Sequence, residues 1–75
     1  MEPVDRLVML GKKQLEDEDY NEALHSIEQA ILLNQKDPDL WNLKGIALRS
    51  LGRYDEAIEC FNKSLEIDPR DRNAS

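Results

Sequence analysis

Few side chains in this sequence combine the type and spacing that chemistry demands. His25 is the single histidine and Cys60 the single cysteine. A metal site would need both, converging with carboxylates such as Glu28 or Glu59, and no second cysteine exists to complete a C-x-x-C pair. The helical register described below instead sets His25 on an outward face and Cys60 beside the core as a small hydrophobe. Ser26 and Ser50 have no histidine and third group arranged as nucleophilic catalysis requires, and no glycine-rich phosphate loop is present. The acidic runs Glu16–Asp19 and Asp55-Glu56 could invite calcium or acid–base chemistry. The calcium-loop pattern is missing, and a turn and a helix N-terminus account for the carboxylates better. The expectation is therefore a protein that is not an enzyme and takes no metal and no cofactor.

Composition narrows the classes further. Seventy-five residues form at most one small domain, residues 1–75, with a marginal core. Sixteen acidic against ten basic residues give a net charge of −6. That balance disfavours a nucleic-acid surface, which draws its affinity from clustered Lys and Arg. Such a surface would require Lys12, Lys13, Arg49 and Arg53 to form one basic patch. No apolar run approaches the roughly 20 residues of a membrane span, and the segment Met1–Asp5 lacks the basic start and apolar stretch of a signal peptide. A single cysteine suits a reducing compartment, and the expected location is cytoplasmic.

The elements that must position any site follow from punctuation and period. Pro3 and Pro38 each follow an acid and open a periodic apolar stretch, as proline does in a helix's first turn. Asp37 is a suitable N-cap for the second of these, and Gly52 suits a left-handed helix stop. Tyr54, Ala57, Ile58, Phe61 and Leu65 recur at helical spacing, as do Tyr20, Ala23, Leu24, Ile27, Ala30 and Ile31. Val4, Leu7, Val8 and Leu15, then Leu40, Leu43, Ala47 and Leu51, mark two further helices. Four helices are predicted, at 3–17, 20–33, 38–51 and 54–67, with turns so short that consecutive helices run antiparallel.

Sliding the chain by 34 residues superposes it on itself without a gap. Asp5 falls on Asp39, Gly11 on Gly45, Tyr20 on Tyr54, Glu22 on Glu56, Ala23 on Ala57 and Asp37 on Asp71. Two helix-turn-helix units, 4–37 and 38–71, with a short tail at 72–75, account for nearly the whole chain. Small residues at Gly11, Gly45, Ala23, Ala57 and Ala30 let paired helices approach, and Leu7, Ile27, Trp41 and Phe61 fill the gaps.

The period and residue types resemble the tetratricopeptide repeat. The second unit shows its pattern as Trp41, Gly45, Leu48, Ala57, Phe61, Ser64 and Pro69, with the run Gly52-Arg53-Tyr54-Asp55-Glu56-Ala57. The first unit shows it as Leu7, Leu10, Gly11, Ala23, Ile27 and Ala30. Lys44, Gln14 and Gln35 depart from the usual Leu, Tyr and Pro. The resemblance implies an all-α fold: two helical pairs, four antiparallel helices, stacked as a short α-solenoid. It also implies that the first helix of each pair lines a concave groove for a peptide or helix of a protein partner. Its lining residues would be Asp5, Val8, Lys12 and Leu15, then Asn42, Ile46 and Arg49. Such a groove would have an apolar floor and cationic hooks at Lys12 and Arg49, suited to an acidic peptide. The fourth helix is expected to leave Ile58, Phe61 and Leu65 uncovered. Either the chain is then a piece of a longer array, or a second copy supplies the cover, the terminal helices pairing or exchanging elements in a homodimer or larger homo-oligomer.

Overall fold

The computed structural model describes residues 3–69. Four helices follow in order: α1 Pro3–Glu16, α2 Tyr20–Leu33, α3 Pro38–Ser50 and α4 Tyr54–Ile67. No strand occurs among the described residues. α3 begins as its sequence dictates: the Asp37 carboxylate accepts a hydrogen bond from the Asp39 backbone N–H at 3.0 Å, with Pro38 in the first helical turn.

α1 and α3 each stop one residue before the predicted end, and both for the same reason. After α3, Gly52 takes φ 83°, and the Arg53 N–H reaches back to the Leu48 carbonyl at 2.9 Å. After α1, the residue 34 positions earlier, Glu18, takes φ 64°, and the Asp19 N–H reaches the Gln14 carbonyl at 2.8 Å. One left-handed residue with a six-residue back-bond closes both helices. Tandem units thus share a turn that their residue types do not.

α1 packs on α2 and α3 on α4; α2 packs on α3, and α1 lightly on α3. α2 and α4 make no close approach to each other, so the helices stack as two successive pairs with α3 between α2 and α4. Two apolar clusters result. Ala23, Ile27, Ala30, Ile31 and Leu40 form the first. Leu24, Ala47, Leu48, Ala57 and Cys60 form the second, and Leu15 and Trp41 pack against both. Gly11 is needed because a Cβ there would lie 2.8 Å from Ile27 Cγ1, and Gly45 because one would lie 2.5 Å from Phe61 Cε1. Periodicity put Tyr54 on the apolar stripe of α4, but it is 63% exposed. It is the first residue of a helix that packs on α3 alone, so its register does not guarantee a neighbour.

Two of the three departures from the family pattern, Gln14 and Lys44, bond through their side chains. Gln35 takes part only through its backbone carbonyl, which proline would also offer. The Ser26 hydroxyl, buried between helices, donates to Gln14 Oε1 at 2.8 Å. The Trp41 indole N–H donates to the Gln35 carbonyl at 2.9 Å. Lys44 pairs with Glu28 at 3.4 Å while its ammonium lies 5.5 Å from the centre of the Trp41 ring.

Candidate functional site

The face shared by α1 and the start of α3 holds a depression of about 440 Å³. α1 contributes Asp5, Val8, Met9 and Lys12; Asp37, Asp39, Leu40 and Leu43 come from the cap and first turns of α3. Asp5, Val8 and Lys12 recur there because residues three and four apart share one side of a helix. Leu40 is fully buried beneath this floor and Met9 is 70% exposed above it. Apolar side chains thus lie under a rim of three carboxylates and one ammonium.

The predicted lining residues do not all gather in this depression. Leu15 packs inward against both core clusters. Asn42, Ile46 and Arg49 lie outside it, and the Arg49 guanidinium sits 6.0 Å from the centre of the Phe61 ring on α4. Met9, Asp37, Asp39, Leu40 and Leu43 also line the depression, beyond the lining residues expected from the sequence. The signal for one of them was in the repeat: Asp39 stands 34 residues after Asp5.

Three further depressions, of about 440, 220 and 620 Å³, lie along α3 where α2 and α4 stay apart, and Trp41 lines all three. Lys63 approaches the Trp41 ring at 5.9 Å, so the aromatic surface is contacted by two lysines of the same chain. On α4, Ile58 is 55% exposed although Leu24, its counterpart 34 residues earlier, is only 7% exposed. Phe61 is half-buried on Gly45 and Leu65 half-buried.

The remaining chemistry is modest. His25 and Glu28 are spaced as H-x-x-E, yet no group of three or more His, Cys, Asp or Glu among the described residues could hold a metal ion. Burial pushes the Cys60 thiol up from its ordinary range. Arg53 donates two 2.8 Å hydrogen bonds to Glu56, which hold that carboxyl below the usual carboxylate range. Lys13 pairs with Asp17 at 3.5 Å, so two of the four cations considered for a basic patch are engaged by carboxylates. No helix among the described residues is long and apolar enough to cross a membrane.

Stacked helical pairs with a 34-residue period and a face built from first helices define a helical-repeat protein. Residues 38–71 match the family model of the tetratricopeptide repeat. The chain belongs to the tetratricopeptide repeat family. It is 46% identical over 50 residues to an uncharacterized protein of Methanocaldococcus jannaschii, covering 67% of this chain and 58% of that one. A TPR repeat-containing protein of the same archaeon is 41% identical over 56 residues, 75% of this chain and 18% of that protein. The peroxisomal targeting signal receptor of Saccharomyces cerevisiae is 29% identical over 52 residues, 69% of this chain and 8% of the receptor. The chain therefore spans little more than half of the first relative and a small part of the others. As a member of this family it is a protein–protein interaction module.

Proposed function

We propose that the chain acts without catalysis, receiving a peptide or helix of a partner protein on the face shared by α1 and α3. The depression there carries this reading: Val8 and Leu43 form an apolar floor over buried Leu40, with exposed Met9 above it and charged side chains at its rim to orient a ligand. The relatives support it only in kind; one is named as a receptor for a targeting signal, and that recognition belongs to the receptor. The buried, free Cys60 fits a reducing, cytoplasmic setting.

The test is to select peptides from a random display library on the purified chain and map the best binder by backbone amide shifts. Perturbations centred on Val8, Met9, Lys12 and Leu43 are expected. Met9→Gln, at an exposed helix position where the two residues have similar helix propensity, should weaken binding about five- to tenfold without changing the melting curve. Shifts confined to α4 would place the site elsewhere.

A second reading is self-association through α4, and the contrast between exposed Ile58 and buried Leu24 favours it. A homodimer would then cover Ile58, Phe61 and Leu65 with a second copy.

A further inference from the structure

We propose that the partner segment bound between α1 and α3 carries arginine or lysine beside aliphatic residues, with Asp5 and Asp39 holding the cation. This rests on the reading of that face as the binding site and names the chemistry it selects. Three carboxylates, Asp5, Asp37 and Asp39, line the depression against the single ammonium of Lys12. Lys12 does not neutralise them: among the described residues it makes no ion pair with any carboxylate within 4.0 Å. Asp37 spends one oxygen on the Asp39 N–H, and the Asp5 and Asp39 carboxylates make no hydrogen bond or ion pair among the described residues. The second cation expected at this face, Arg49, lies against Phe61 instead.

Helices α1 and α3 both start beside the site, with Asp5 and Asp39 in their first turns, and each presents a positive end equivalent to roughly half a charge. Together they offset only about half of the local excess of two negative charges, and the net charge of −6 adds to the remainder. The carboxylates are too dispersed to gather a metal ion, but dispersal suits an extended segment whose guanidinium forks between acceptors. Met9 supplies an exposed thioether on an unbranched side chain that can pack on an aliphatic neighbour of the cation. Asp5 and Asp39 occupy the same register in successive units, so the acceptor is repeated along the face as an extended ligand's side chains are.

The probes are three fluorescein-labelled peptides of one design, Leu-Xaa-Leu-Gly-Xaa-Leu, with Xaa arginine, glutamine or glutamate. Fluorescence anisotropy at low ionic strength should rank them in that order, arginine over glutamate by roughly tenfold or more. The gap should narrow as salt rises. Lys12→Glu should tighten the arginine peptide, and the double change Asp5→Lys with Asp39→Lys should reverse the ranking. All three positions are exposed, so the helical circular dichroism should be kept. The double change should lower the melting temperature, because it puts cations in the first turns of α1 and α3. A glutamate peptide that binds as well as the arginine peptide, with shifts still centred on Val8 and Leu43, overturns the cation preference and leaves the face intact. Arginine-peptide binding that maps to α4, or ignores the double change, overturns both. Absence of binding by all three overturns this proposal, while library peptides mapping to the face would still uphold the wider one.

Discussion

Glu18 shows what a single residue contributes when its type and its conformation disagree. Its φ of 64° lies in the left-handed region, where a side chain costs about 1–2 kcal/mol and glycine costs little. The equivalent turn after α3 has Gly52 at φ 83°. Glu18→Gly should therefore stabilise the fold by about 0.5–1 kcal/mol, after the greater freedom of glycine in the unfolded chain is subtracted. Thermal unfolding by circular dichroism checks this, with a rise of roughly 2–8 °C expected. Other residue-scale departures are compensated where they stand. Gln14 satisfies the buried hydroxyl of Ser26, which would otherwise lose a hydrogen bond in the interior at a cost of about 1–3 kcal/mol.

At the scale of elements, the helical pair is set by how near its two axes come. Gly11 meets Ile27 in the first pair and Gly45 meets Phe61 in the second, the same two positions 34 residues apart. A methyl at Gly45 would lie within 2.8 Å of three atoms along one edge of the Phe61 ring. A rigid ring must shift as a whole to escape it. Overpacking of this kind costs about 1–3 kcal/mol, against about 1 kcal/mol gained in helix propensity from glycine to alanine. Gly45→Ala should thus destabilise by up to about 2 kcal/mol in a urea titration. Phe61→Leu alone should also destabilise, yet the two together should cost less than their sum, because leucine vacates the space the methyl needs. Strict additivity would mean that glycine and ring do not meet.

On the scale of the whole molecule, the two ends of the stack differ. Arg6, Gln14 and Asp17 stand where the second unit has Leu40, Leu48 and Leu51, so the first unit is the more polar at these positions. The outer side of α4 keeps Ile58 more than half exposed. If a second copy covers that side, light scattering after size exclusion should give a mass of twice 8.7 kDa or more across a hundredfold range of about micromolar concentrations. Ile58→Glu should then return it to 8.7 kDa with its helicity retained. A constant mass of 8.7 kDa in the unaltered protein would leave α4 bare and end the second reading.

The helices and their repeat were legible in the residues alone. Periodic apolar positions, prolines at helix starts and a gap-free 34-residue register are local properties, and local physics carries them into the structure. The small–large partners Gly11 with Ile27 and Gly45 with Phe61 could be read the same way, because both members recur at one spacing. The candidate site was legible only in part. Asp5, Val8 and Lys12 share one helix, so their common direction follows from helical geometry. What faces them depends on the angle at which α1 meets the start of α3. That angle brings in Asp37, Asp39 and Leu43 and sends Arg49 to Phe61. The sequence by itself determined the elements and their pairing, since short turns and period leave few alternatives. Only the tertiary structure decided the sign of charge at the face, because that is a sum over residues of two helices whose crossing no single stretch encodes.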